Sequence, residues 1–300
     1  MSVFARALWL CIAMAGVVFS AAPSRSAEVR LRVNTFPGPQ NLALFVAQDK
    51  GLFAKRGLAV EIIFTPSSQA QREGLVASGS NGMNELIVRP EVKSYEDIRA
   101  KTVVVDAPNT AYAFLLYKML ALKGVGRGDY SVLPAGGCTQ RLNAMREDNT
   151  RVAAMMNPPC NLLAAKDGYR SLGRATDVIG LYQADGIWVM RSWANNNADI
   201  LVKYLQSIIE GYRWATDVGN RPELSAIVGK HLKLDTEIAA KSVEAAVGPN
   251  GGLAKDAQFD LEGFKNTLRL RAEFEGGDAN PTPDKYLDVS YYQRALSGVK

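Results

Sequence analysis

Short apolar strands alternate with stretches of helical period along most of the chain. Val29 to Val33 alternates apolar and basic positions, as a strand with one buried face does. Leu42, Phe45, Val46, Leu52 and Phe53 recur at helical spacing, interrupted at Gly51. Gly57 stops that helix, and Leu58 to Phe64 reads as a strand. A helix from about Gln69 to Ala77, a flexible break Ser78–Gly82 and a short strand Glu85–Val88 follow. Ser94 caps a short helix that Asp97 supports. Strands are then predicted at 102–105, 130–133 and 152–156, each followed by a loop and a helix, at 111–123, 140–147 and 161–165. Three such units in succession predict a parallel sheet. Ile187–Met190 reads as one more strand, and the rest as helices near 198–217, 221–230, 235–246 and 258–274, with a Gly-, Pro- and Asp-rich tail. The fold class is α/β, with mixed, mostly parallel sheets flanked by helices and a helical C-terminal part.

The N-terminus departs from this pattern. Arg6 precedes an apolar run, Ala7 to Ala22, that is short for a membrane span and ends in small residues. It fits a cleaved signal peptide over residues 1–27. Its removal takes away Arg6 and Arg25 and no acids, so the formal charge falls from +5 to +3. That mild balance, with no Lys/Arg-rich run interleaved with aromatics, argues against nucleic acid as a partner. Three hundred residues, 47% apolar and 22% charged, suit one large domain or two lobes, with ample length for a buried core. Two cysteines remain, Cys138 and Cys160; spacing does not fix their geometry, and two half-buried thiols are expected rather than a disulfide.

The single histidine, His231, sits at a helix end, as a surface or capping residue does. Gly124–Asp129, "GVGRGD", follows a helix instead of a strand, so the dinucleotide reading fails on context. No nucleophile elbow, metal spacing or phosphate loop is present, so no catalytic residue, metal or cofactor is expected. What remains are loops at the carboxyl ends of parallel strands, where open α/β sheets bind ligands. Asp106, Asn109 and Thr110 open one helix, whose first N–H groups suit an anion; a simple helix cap is the alternative. Gly137 and Cys138 form a small-residue loop, and Asn157 with its two following prolines a rigid corner. In the first lobe the candidates are Thr35, Phe36, Gln40, Asn41, Ser67 and Ser68, with Phe36 placed to stack on a ring. Asp185 is the one acid that would face a ligand amine, or else a surface residue. None of these loops holds Arg or Lys, so a small anion held by backbone donors is expected.

The stretches "LALFVAQDKGLFAKRGLAVEI", "SYEDIRAKTVVVDAPNTAYAFLLYKMLALKG" and "GDYSVLPAGGCTQRLNAMRED" resemble the periplasmic solute-binding proteins of ABC importers. The group they resemble most is the nitrate/sulfonate/taurine type, which includes binders of thiamine-pyrimidine precursors. The shared pattern falls on Ala47, Gly51, Phe53, Gly57, Leu58, Val60 and Glu61. The resemblance implies a type II two-lobed fold: lobe one from 28–88 and 190–300, lobe two from 93–180, and crossings at 89–93 and 181–186. It also implies a periplasmic, monomeric, non-enzymatic protein that holds a small-molecule ligand between its lobes for an ABC permease and its ATPase. A precursor synthase or transferase on the same fold, or a sensing receptor, are the alternatives. Relative to the family, on the order of forty residues are absent after Gly79, about one βα unit plus a strand.

Overall fold

The computed structural model describes residues 28–65, 83–249, 251–278 and 282–299. The expected signal peptide, the 69–77 helix and the shortened region after Gly79 lie outside these residues. Lobe one opens with β1 (Val29–Thr35), α1 (Leu42–Asp49) and β2 (Leu58–Phe64). The two strands pair in parallel from Val29 with Leu58 to Thr35 with Phe64. Gly57, at φ 72°, takes the left-handed turn that ends the helical segment and starts β2, a conformation costly for other residues. Among the described residues, this lobe's sheet consists of β1 and β2.

Lobe two contains β3 (Glu85–Val88), β4 (Thr102–Val105), α2 (Ala111–Leu122), β5 (Ser131–Pro134), α3 (Cys138–Glu147), β6 (Arg151–Met156), α4 (Cys160–Lys166), β7 (Arg170–Arg174) and α5 (Ala175–Ile179). The sheet order is β5-β4-β6-β3-β7, with β4 parallel to β5 and β6, and β3 antiparallel to β6 and β7. Helices cover both faces. Val103, Val105, Leu86 and Met155 meet Leu116 and Leu120 of α2 on one side, while Val104, Ile87, Ala154 and Met156 meet Leu142 and Met145 of α3 on the other. Burial on both faces explains why these strands read as continuous apolar runs.

The chain then continues through α6 (Arg191–Asn196), α7 (Ala198–Thr216), α8 (Arg221–Leu232), α9 (Thr236–Val247), α10 (Leu261–Glu275) and α11 (Ser290–Ser297). Helix α7 carries Tyr204, Ile208 and Tyr212 into the core beneath β1 and α1. Gly211 lies against the α1 backbone: a Cβ there would stand 2.4 Å from the Ala43 carbonyl oxygen.

Several expected elements differ. β3, placed in lobe one by the sequence, hydrogen-bonds in lobe two, where β6 and β7 satisfy its backbone on both edges and helices bury Leu86, Ile87 and Val88 on both faces. Residues 89–93 follow β3 and stay beside this sheet, where Arg89 Nη1 donates to the Met145 carbonyl at 2.6 Å. Helix α10, expected in lobe one, packs on α2 of lobe two, stacking Phe274 on Phe114 at 5.3 Å. The expected strand 187–190 has only isolated bridges at Asp185 and Trp188, with Trp188 and Met190 facing outward. The cysteines are joined: Cys138 and Cys160 form a disulfide with Cα atoms 6.1 Å apart, correcting the expectation of two thiols.

Candidate ligand-binding cleft

A cavity of about 390 Å³ lies between the lobes. On the lobe-one side the chain leaves β1 through a loop that bonds to itself. Thr35 Oγ1 donates to Asn41 Oδ1 at 2.7 Å; Asn41 Nδ2 donates to the Phe36 and Gly38 carbonyls at 2.6 and 3.3 Å; Gln40 Nε2 donates to the Phe36 carbonyl at 3.3 Å. These three polar side chains, expected to face a ligand, are buried within the loop and do not line the cavity. They fix the backbone so that Phe36 and Pro37 line it, joined by Thr65. Replacing Asn41 with alanine strips both carbonyls of a donor and the Thr35 hydroxyl of its acceptor. A stability loss of about 1–3 kcal/mol in urea titrations is expected; an unchanged midpoint would contradict this account of the loop.

On the lobe-two side, three strand ends deliver the wall. Asp106 follows β4, and Thr110 caps α2, its hydroxyl donating to Asp106 Oδ1 and accepting from the Ala113 N–H at 3.3 Å. Thr110 is thus occupied as a cap, and Asn109 is exposed outside the lining, so this helix start is not the one presented to the cavity. That place is taken by α3. Its N-cap is Gly137, which has no side chain to cap with, and Gly137 to Arg141 all line the cavity. The first N–H groups of a helix have no partner within it, and here they open toward the cleft. Asn157 and Cys160 follow β6, and the disulfide ties the start of α3 to that of α4.

Arg141 is the residue the sequence reading missed, one position beyond the loop it singled out. Its side chain is 3% exposed, and Nη1 donates to the Gly136 carbonyl at 3.1 Å. Asp106 Oδ1 lies 4.0 Å from Nη1, and the guanidinium sits over the Tyr112 ring at 5.1 Å. Nε is buried without a hydrogen-bond partner. Burial pulls the guanidinium below its ordinary pKa, with Asp106 and Tyr112 opposing; it starts so high that it stays charged at neutral pH. The cleft wall therefore carries a dehydrated positive charge beside a helix N-terminus, which favours a small anion.

Asp185 lies outside the lining, yet close enough to Tyr112 and Tyr182 to add to the effect of burial in pushing both hydroxyls up. Ser67 and Ser68 fall outside the described residues. His231 is engaged away from the lining, its Nε2 2.9 Å from Asp49 Oδ1 and its ring stacked on Phe45 at 4.4 Å. Leu232 and Leu234 supply an apolar edge to the cavity. Lys166 of α4 bridges the lobes, 3.4 Å from Asp235 and 3.2 Å from Glu237.

Residues 38–84 match the sequence model of the NMT1/THI5-like family. No curated protein sequence matches the chain. Among solved structures, the chain is similar to the periplasmic nitrate-binding protein NrtA from Synechocystis PCC 6803, at 14% identity and a TM-score of 0.72 over 92% of this chain and 90% of that one. It is similar to the alkanesulfonate-binding protein SsuA from Xanthomonas axonopodis pv. citri bound to MOPS, at 13% identity and 0.67 over 86% and 96%. The desulfurization enzyme DSZB is also similar, at 11% identity and 0.62 over 90% and 99%. The chain thus has the two-lobed fold of the periplasmic binding proteins, as the sequence resemblance implies.

Proposed function

We propose that the protein is the extracytoplasmic solute-binding component of an ABC import system and holds a small sulfonate, carboxylate or other anion between its lobes. The observation that carries this reading is Arg141, buried and charged in the interlobe cavity beside the uncapped start of α3. The volume is in the range of small-molecule sites, and the likeness to a nitrate-binding and an alkanesulfonate-binding protein supports the ligand class. Phe36 and Tyr112, on opposite sides, suit a ligand with a flat or apolar body. In this reading the chain is exported through a cleaved signal in residues 1–27, acts as a monomer, and delivers its ligand to a permease driven by an ATPase. The lobes close by a hinge at the two crossings, with Lys166 bridging the mouth.

Calorimetric titration against nitrate, short alkanesulfonates, small carboxylates and heterocyclic acids tests the ligand. At least one of these anions is expected to bind at one site with a micromolar or tighter constant. Binding confined to amines or neutral solutes would overturn the anion assignment. An enzyme on the same fold is the second reading, favoured by the likeness to DSZB. Against it, the disulfide withholds both cleft cysteines as nucleophiles, and His231 is held elsewhere. Recovering the bound anion chemically unchanged after long incubation separates the two.

A further inference from the structure

A second cavity, of about 190 Å³, lies beside the C-terminal stretch, between α7, the start of α10 and residues 186–195. Its floor is an apolar stripe of α7: Leu201, Leu205, Ile208 and Ile209. Aromatic rings form the walls. Phe259 and Phe264 meet edge to face at 5.3 Å. Tyr291 and Tyr292 are fixed by their hydroxyls, which donate to Asn195 Oδ1 at 3.2 Å and to the Asp256 carbonyl at 2.9 Å. Protein interiors pack like organic crystals, with few voids larger than a water molecule. A space this size with this lining offers water few of the two to four polar partners it needs, whereas about 150 Å³ of apolar space accepts benzene.

The mouth supplies an independent observation. Trp188, Tyr286 and Val289 all line the cavity, yet they are 48%, 47% and 37% exposed. Large apolar side chains clustered in water around an apolar cavity mark a binding site more often than a structural one. Arg191 and Asn195, one turn apart on α6, place polar groups in the same lining. Arg191 Nη2 donates to the Lys285 carbonyl at 3.4 Å, and Asp288, in the same lining, is near enough for the Arg191 charge to help hold its carboxyl below the usual range, after the hydrogen bonds it accepts from Ser290.

We propose that this cavity is a second ligand site, separate from the interlobe cleft, for a small planar aromatic molecule about the size of indole. Ring edges and faces in the walls grip the aromatic body, and Arg191 or Asn195 meets one polar substituent. None of its lining residues lines the interlobe cavity, so occupancy does not require lobe closure.

Titration of the protein with 5-fluoroindole, followed by fluorine NMR and by amide spectra, tests this. A saturable fluorine shift, reversed by unlabelled indole, is expected, with amide changes confined to residues 186–209, 257–264 and 286–292. Ala194→Phe, which puts a ring into the cavity, should remove saturation while leaving anion binding in the cleft unchanged. Trp188→Ala, at an exposed position that leaves the fold intact, should weaken binding at least threefold. Absence of saturation, amide changes centred on 137–141, or undiminished binding in a folded Ala194→Phe would each overturn the proposal. Should Ala194→Phe fail to fold, unchanged affinity in Trp188→Ala overturns it instead.

Discussion

Arg141→Ala is expected to lower affinity for the anion proposed for the cleft by at least about 25-fold. Truncating one member of a buried, hydrogen-bonded charge pair costs about 2–5 kcal/mol in binding, and each 1.4 kcal/mol is tenfold. The same change should lower folding stability by about 3 kcal/mol, because Asp106 loses the cation that compensates its buried charge. The two losses are separable. Arg141→Met combined with Asp106→Asn removes both charges at similar volume and should recover most of the stability while leaving anion binding abolished. Calorimetry and urea titration on the single and double variants read the two effects. Anion binding retained in the double variant would move the recognition charge away from Arg141. Stability unrecovered there would mean that Arg141 holds the Gly136 loop by its hydrogen bond rather than by charge.

Gly211→Val should destabilise lobe one by about 3 kcal/mol, because adding methyl groups to a packed interior forces backbone displacement. The first added atom would meet the Ala43 carbonyl oxygen at 2.4 Å, with the carbonyl carbon and Cα at 3.2 and 3.3 Å. All three belong to α1's backbone, which cannot turn aside as a side chain would. Gly211→Ala should cost less, since alanine recovers about 1 kcal/mol of helix propensity. A fall in melting temperature of roughly 6–12 °C accompanies the valine change, taking about 2–4 °C per kcal/mol for chains of this order of size. Gly128→Ala, with open space around its Cβ position and no positive φ, serves as the neutral control. Equal melting temperatures for the two would refute the close crossing of α1 and α7.

Where one physical signal dominates, the sequence and structure agree. The helices at 198–216 and 236–247 carry strong helical periodicity with polar starts, and β4 and β6 are apolar runs that only a doubly covered strand tolerates. β7 was not read as a strand because its residues Arg170–Arg174 include two arginines and a glycine; it is an edge strand, where charge on one side is acceptable. Residues 187–190 have the composition of a strand, but among the described residues none of the sheet strands pairs with them, and pairing is not a local property. The helix start that lines the cavity is that of α3, not α2, and its cap explains why. Thr110 is a good cap, and a good cap occupies the helix start; Gly137 caps nothing. Arg141 was legible in principle, since it lies three residues after Cys138 on the same helix face. The disulfide was not: its two cysteines are 22 residues apart, and only the placement of β5 and β6 on either side of β4 brings the following loops together.

The two sheets also differ in how their pieces are distributed along the chain. Every strand of the five-stranded sheet falls between Glu85 and Arg174, with the helices α2 and α3 that cover it in the same interval. β1 and α1, by contrast, find their packing partners Tyr204, Ile208 and Tyr212 more than 150 positions later. As the chain is synthesised, lobe two can assemble from what has already emerged, while the first helix waits with its apolar face uncovered for α7. Contacts of such long sequence separation are the slow ones in folding. An α1 whose first six residues are all apolar, held open through that interval, is exposed to aggregation until Gly211 closes against Ala43.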